Sequence, residues 1–294
     1  NLPDIPFEVK FWDGETKKYG DAAPAFILTF KEKEAAKNIF GKGTLGFVEE
    51  YTAGNIDVKG DFQKLVRLGI DPRFQDMKLS LKTKIAILLQ HIKFHNTIKK
   101  SPDNIAHHYD LGNEFYKLYL DESMTYSCAY FRSNEDTLEQ AQQQKYEHIC
   151  RKLQLKEGET IIDVGCGWGG MLLYAACHFG VKGVGCTLSR NQAEYAKERV
   201  AQEGLHKNIT ILFEDYRNMK GQFDKFVSIG MFEHVGKAFI SSFIDKTKSL
   251  LKPKGIGLLH TIDKESDTPE DPWTMKYIFP GGYLPILDHV VHIM

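Results

Sequence analysis

Asp163-Val164-Gly165-Cys166-Gly167-Trp168-Gly169-Gly170 follows a short apolar run at residues 160–164 and opens a helical pattern over residues 171–179. Closely spaced glycines permit a tight turn and let the main chain approach a ligand where a Cβ would intrude. Structural strand-to-helix turns use glycine as well, so the residues C-terminal to the run have to discriminate. A dinucleotide site wants an acid about 20 residues further on to hold a ribose hydroxyl. The second strand here ends Gly185-Cys186-Thr187-Leu188, and no acid precedes Glu194. That disfavours NAD and leaves the DxGxGxG reading of a methyltransferase-like nucleotide site.

Outward from this turn the chain alternates helix and strand. The pattern predicts helices over 138–153, 189–203 (closed by Gly204) and 246–251, and strands over 182–186, 209–213, 225–229 and 256–262. Alternation at this spacing means a doubly wound, Rossmann-like α/β domain with a parallel sheet. The stretch 250–255 reads as a helix end running into a strand. Upstream, residues 7–30 alternate apolar and polar with Asp13-Gly14 as a turn, which reads as a small sheet beginning with a hairpin. Helices over 31–39 and 62–68, with a strand-like connector at 55–60, make this a smaller α+β domain. Residues 79–98 place Leu81, Ile85, Leu88, Leu89 and Ile92 on one helical face. Lys99-Lys100-Ser101-Pro102 then breaks the pattern. The expected division is therefore 1–97 and 98–294.

Bulk properties narrow the class further. The formal charge of -1 gives no general case for nucleic acid, yet residues 59–100 hold ten Lys or Arg against three acids. A basic, amphipathic stretch of this kind suits an anionic membrane surface, although a solvated helical face would look the same. Five cysteines without a CxxC offer no metal spacing, and free thiols fit a reducing cytoplasm. No apolar run approaches the roughly 18 residues of a membrane span, and no signal peptide is visible.

Several side chains fall at the ligand edge of such a sheet. Gln192 suits ribose hydroxyls, but Ser189-Arg190-Asn191-Gln192 is also a capping-box pattern. Asp215 and Tyr216 suit an adenine, but Asp215 also suits turn chemistry before Asn218. Cys128, Glu233 and His260 stand near the ends of an entry segment and two strands, a set able to hold a cation and remove a proton. Singly, each would more often be structural; together they point to a reacting centre.

The stretches HHYDLGNEFY, MTYSCAYF, IIDVGCGWGG, TLSRNQ, SIGMFEHVG, LLHTI and DPWTMKYIFPGGYLP run in order from about residue 105 to 286. With them the chain resembles the bacterial cyclopropane-fatty-acid synthases, relatives of the mycolic-acid cyclopropane synthases. Residues up to about 95 look like the smaller N-terminal domain of the bacterial enzymes. The resemblance implies transfer of a methylene group from S-adenosylmethionine to the cis double bond of a phospholipid acyl chain, closing a cyclopropane ring. It implies that Tyr126 and Ser127 meet the carboxylate end of S-adenosylmethionine. Gly165 and Gly167 form its backbone cradle, Gln192 holds the ribose and Tyr216 lies near the adenine, with Asp163, Thr187, Leu188, Ser189 and Asp215 as further cofactor-binding residues. It also implies a bicarbonate ion as general base, held by Cys128 (through its backbone), Glu233, His260 and Ile262.

The same resemblance places a further bicarbonate tyrosine and two sheet strands beyond Met294, so the catalytic domain is expected to lack its C-terminal strands. Phe232, Tyr130 and Tyr277 are expected to stabilise the substrate cation through their rings. The implied location is cytoplasmic, peripheral at the inner face of the membrane, with a second copy of the chain as a further candidate partner. The competing readings are an N-methyltransferase of the same superfamily and a non-catalytic lipid-binding fragment.

Overall fold

The computed structural model describes residues 5–70, 112–266, 268 and 270–294. The chain divides into two compact units, Asn1–His95 with Asp271–Ile278, and Asn96–Glu270 with Phe279–Met294. The expected amphipathic helix at 79–98 and the expected boundary at 97 lie outside the described residues.

In the first unit, β1 (Phe7–Lys10) and β2 (Thr16–Tyr19) form the expected hairpin, with Gly14 at φ 87° in its turn. β3 (Phe26–Phe30) pairs parallel with β1, and β4 (Ile56–Gly60) pairs antiparallel with β3, giving the order β2-β1-β3-β4. The 55–60 connector is thus a full sheet strand. Helix α1 (Lys33–Lys42) is followed by α2 (Thr44–Thr52) and later α3 (Phe62–Ile70). Apolar residues of alternate strand positions and of α1, among them Phe7, Phe26, Phe30, Ala35 and Ile56, close one core.

The segment Asp271–Ile278 joins this unit through polar contacts. Its helix α9 (Pro272–Tyr277) presents Lys276 and Tyr277 to Glu49 of α2, at 2.5 and 2.9 Å, while Lys42 reaches the other oxygen at 2.8 Å. Burial would raise the Glu49 carboxyl, but donors from Lys276, Lys42 and Tyr277 outweigh it and bring its pKa down to about 2.

The second unit holds a parallel five-stranded sheet. After α4 (Asn113–Lys117), helix α5 (Leu138–Leu153) starts on a capping box between Thr137 and Gln140. Then come β5 (Thr160–Val164), α6 (Gly170–Phe179), β6 (Lys182–Thr187), α7 (Arg190–Gln202) and β7 (Ile209–Phe213). Next are β8 (Phe223–Ile229), α8 (Ile240–Leu250) and β9 (Leu251–His260), and after α9 the chain reaches α10 (Leu287–Ile293).

Strand order is β7-β6-β5-β8-β9, parallel throughout, so the winding direction reverses between β5 and β8. The α/β expectation holds. Neighbouring residues of β5 serve opposite faces. Ile161 packs with α5, α6 and α7, and Ile162 with α8 and α10. Two boundaries differ from expectation. α8 starts at Ile240, and β9 starts at Leu251, through a register irregularity opposite Phe223–Lys225 that accommodates Pro253 and a positive φ at Lys254. The helix-end reading of 250–255 therefore applies only to its first residue.

Candidate active site

Reversal of the strand order opens a crevice at the carboxyl ends of β5 and β8, where ligands of open α/β sheets bind. The glycine turn floors it. Gly165 and Cys166 both donate their N–H to the Cys186 carbonyl at 3.0 Å, pinning the turn to the end of β6. Gly165 has φ 83°, and a Cβ there would stand 2.5 Å from two side-chain atoms of Met231. Gly167 also has positive φ, but a Cβ there would meet no protein atom within 4 Å. The first glycine is required by packing; the second faces open space that a ligand can fill.

A cavity lies against this turn. Of the residues expected around S-adenosylmethionine, Tyr126, Ser127, Asp163, Gly165, Gly167, Thr187, Leu188, Gln192, Asp215 and Tyr216 line it, and Ser189 does not. Ser189 caps α7, accepting the Gln192 N–H. The capping box is only half made, because the Gln192 side chain accepts the Thr187 hydroxyl at 2.7 Å instead of returning to Ser189. The turn reading of Asp215 is also realised: its carboxylate accepts from the backbone and guanidinium of Arg217. Burial works against that charge, but Arg217 holds the Asp215 carboxyl below the ordinary range. Asp163 is buried with Oδ1 unpartnered among the described residues, and burial pushes its pKa up to about 7. Met231 and His234 line the cavity too. Both lie in the GMFEHVG stretch, whose position after β8 was the signal that could have assigned them.

The expected reacting-centre residues stand outside the cavity lining and are gathered beside it. Glu233 lies in a 3-10 turn, Phe232–His234, just past β8, and accepts the Ile262 N–H on Oε1 at 2.7 Å. Its carbonyl takes the Tyr283 N–H at 2.8 Å, so the returning chain braces the turn. His260 ends β9, with its carbonyl on the Gly230 N–H at 3.0 Å. Burial, aided by the Lys145 ammonium and opposed by Glu233, holds the His260 imidazole below its ordinary pKa, hence neutral at neutral pH. Glu233 Oε2 and His260 Nδ1 are buried atoms without a hydrogen-bond partner among the described residues. Buried polar atoms are rarely left unpaired, so each of the two has capacity for a further polar partner. Cys128 is exposed, one residue beyond the cavity-lining Ser127.

The three aromatics expected to stabilise a cation do not line the cavity. Phe232 is packed into the core against Phe243, Tyr130 stacks on His148, and Tyr277 donates to Glu49 in the first unit. Each ring had an apolar or polar partner within its own packing neighbourhood. Lys145 and Gln142 went unnoticed in the sequence because charged or polar helix residues ordinarily read as solvated; both are buried here, beneath the Thr125–Ser127 loop.

Comparison with known proteins agrees with this geometry. Residues 96–294 match the mycolic acid cyclopropane synthetase family, and residues 1–78 match a domain family of unknown function. The chain is 42% identical over 272 residues to the cyclopropane-fatty-acyl-phospholipid synthase of Escherichia coli K12, covering 90% of this chain and 68% of that protein. It is 34% identical over 294 residues to a probable fatty acid methyltransferase of Pseudomonas putida, covering 97% and 73%. Among solved structures, mycolic acid cyclopropane synthase CmaA1 complexed with SAH and CTAB superposes with a TM-score of 0.60 at 36% identity, covering 65% of this chain and 72% of that one. With its catalytic unit spanned by one family and nine-tenths of its length aligned to a curated relative, the chain belongs to the mycolic acid cyclopropane synthetase family.

Proposed function

We propose that this protein transfers a methylene group from S-adenosylmethionine to the cis double bond of an unsaturated phospholipid acyl chain, forming a cyclopropane ring. The carrying observation is the cavity over Gly167, whose lining includes Ser127 and His234, the chain neighbours of Cys128 and Glu233. Bound there, S-adenosylmethionine supplies an electrophilic methyl on a sulfonium. The alkene π electrons form a bond to that methyl carbon as its bond to sulfur breaks, leaving a cation on the other alkene carbon. Loss of a proton from the new methyl, with closure of the second carbon–carbon bond, gives the ring. The chain's own contribution is alignment and preorganised charge.

Around the donor, Gly165 and Gly167 give backbone access, Gln192 and Thr187 suit the ribose, and Tyr216 suits the adenine face. Tyr126 and Ser127 suit the carboxylate end. For the proton, we propose a bicarbonate ion held by Glu233 Oε2, His260 Nδ1 and the Cys128 and Ile262 backbone. Ile262 N–H currently donates to Glu233 Oε1, so it would share that donor or reorient it.

The decisive experiment supplies S-adenosylmethionine with vesicles of unsaturated phospholipid and, separately, of fully saturated phospholipid. The expected result is S-adenosylhomocysteine release only with the unsaturated lipid, whose acyl chain gains the mass of one CH2. Release with saturated lipid, or onto an added amine, would reject the reading. No helix among the described residues is long and apolar enough to cross a membrane. The substrate alkene is inside a bilayer, so we propose peripheral attachment to anionic lipid through the basic stretch 59–100. Vesicle binding that resists salt and is unchanged by Lys82→Glu with Lys84→Glu would reject that part.

A further inference from the structure

Lys145 lies on α5 and is 3% exposed. Among the described residues no carboxylate stands within ion-pair distance of it. Its Nζ donates to Ser127 Oγ at 2.7 Å. One turn earlier on the same helix face, Gln142 donates to the Ser127 carbonyl at 3.0 Å. The helix thus holds both the backbone and the hydroxyl of a residue that lines the cavity. A buried ammonium is costly unless compensated, and here the Ser127 oxygen, the Tyr146 ring at 5.4 Å and the more distant charge of Asp121 do so only in part, since burial still lowers the Lys145 pKa to about 8.

The chemistry of the two groups fixes the polarity of this contact. An ammonium only donates, whereas a hydroxyl has one proton to give and two lone pairs to receive. Ser127 Oγ must therefore accept from Lys145, and its own O–H is left to donate elsewhere. No protein acceptor takes that proton among the described residues, and the serine borders open cavity.

We infer that Lys145 is a positioning residue that sets the Ser127 hydroxyl as a donor toward the carboxylate of S-adenosylmethionine, with its ammonium as the buried counter-charge behind that hydroxyl. This rests on the proposed placement of the carboxylate at Ser127. Lys145 does not itself border the cavity, so its effect passes through the serine.

Titration calorimetry with two ligands tests it. S-adenosylhomocysteine carries the amino-acid tail, and 5′-methylthioadenosine keeps the adenosine and thioether without it. Lys145→Met should weaken S-adenosylhomocysteine binding about 10- to 100-fold, the range expected for one charge-assisted hydrogen bond, and leave 5′-methylthioadenosine within about twofold. Ser127→Ala should show the same selective loss. The double variant should lose no more than the worse single one, because both removals break one chain of contacts. Lys145→Gln, a neutral donor, gives a second variant should the methionine chain fail to fold, and its loss should again be confined to the tailed ligand. Equal weakening of both ligands by the Lys145 variants would reduce the lysine to loop support and overturn the inference, as would no weakening or additive losses. Ser127→Ala sparing S-adenosylhomocysteine would overturn it together with the carboxylate placement. A native chain that binds neither ligand would overturn the cofactor reading itself.

Discussion

Asp163→Asn is expected to stabilise the protein at pH 8 and to do nothing at pH 4. The Asp163 side chain ends β5 at the mouth of the glycine turn, 2% exposed, with burial as the cause that lifts its pKa from 3.8 to about 7. A folded-state value above the unfolded one means that the native state binds the extra proton. The stability associated with that proton is fully present below about pH 4 and is lost as pH rises through about 7. At about 1.4 kcal/mol for each tenfold, the displacement corresponds to about 4 kcal/mol between those limits. Asparagine has nearly the same shape and no charge to bury, so it escapes this loss. For a unit of this size about 2–4 °C accompanies each kcal/mol, so the variant should melt on the order of 10 °C above the parent at pH 8. The assay is thermal unfolding of both proteins from pH 4 to 9, read as their difference, which cancels every other titrating group. A difference independent of pH would refute the reasoning. Because Asp163 borders the proposed cofactor cavity, a cationic ligand there should also expel its proton; calorimetry in two buffers of unlike ionisation heat would detect that release.

Three further outcomes rest on the same geometry. Glu233→Ala should lower turnover by about 10²- to 10⁴-fold, the usual worth of a group serving proton transfer, with S-adenosylhomocysteine affinity changed less than about twofold; equal losses in both would remove it from the reacting centre. Gly167→Val should weaken S-adenosylhomocysteine binding at least about tenfold while the chain stays folded, since the left-handed backbone costs about 1–2 kcal/mol and its Cβ meets only the cavity, whereas Gly165→Val should unfold the turn against Met231. Glu49→Gln should weaken the hold of α2 on α9 by about 1–2 kcal/mol at neutral pH, discounted for the half-exposed lysines. The Glu49 contribution is present above pH 4.5 and is lost as pH falls through about 2, so parent and variant should converge in strong acid when proteolysis near residue 271 is followed.

Where local signals and tertiary packing agree, the sequence was enough. α5 and β5 run where the pattern placed them, because Thr137 and Gln140 close a capping box and β5 is a short, largely apolar strand with residues 161–164 buried. α2 escaped notice because it follows α1 directly through Gly43, without a side-chain cap. The start of β9 was hidden by Pro253, Lys254 and Gly255, which read as the passage from a helix end to a strand but are carried in the strand by a register irregularity. Of the motif residues, those of the glycine turn and of the ends of β6 and β7 line the cavity, since strand ends are fixed by topology, whereas Ser189, Cys128, Glu233, His260 and Ile262 do not. What was illegible depends on partners distant in sequence. Nothing local shows that α9 packs on Glu49, 227 residues earlier than Lys276, or that Lys145 turns inward to a serine 18 residues before it.

These buried charges also fit the chemistry as a set. A reaction passing through a carbocation gains from negative charge nearby and suffers from a positive one. Yet Lys145 is a buried cation within electrostatic reach of His260. Its Nζ donates to Ser127, and the lysine itself does not line the cavity. From there it favours anions on the Ser127–Cys128 edge and disfavours a proton on His260. A neutral imidazole still hydrogen-bonds an anion through either ring nitrogen, donating or accepting according to tautomer. It does not compete as a fixed positive charge with the developing cation. Glu233 is anchored by the Ile262 N–H on one oxygen and has the other unpartnered among the described residues, so under the proposed bicarbonate reading that oxygen would accept the hydroxyl of the ion. On this reading the lysine stabilises the anionic ligands and keeps the histidine uncharged, so that the formal negative charge beside the alkene belongs to the base. Replacing Lys145 by methionine should therefore raise the His260 pKa as well as weaken the tailed ligand. The imidazole titration followed by NMR separates that electrostatic effect from any loosening of the loop, and an unmoved titration would deny it.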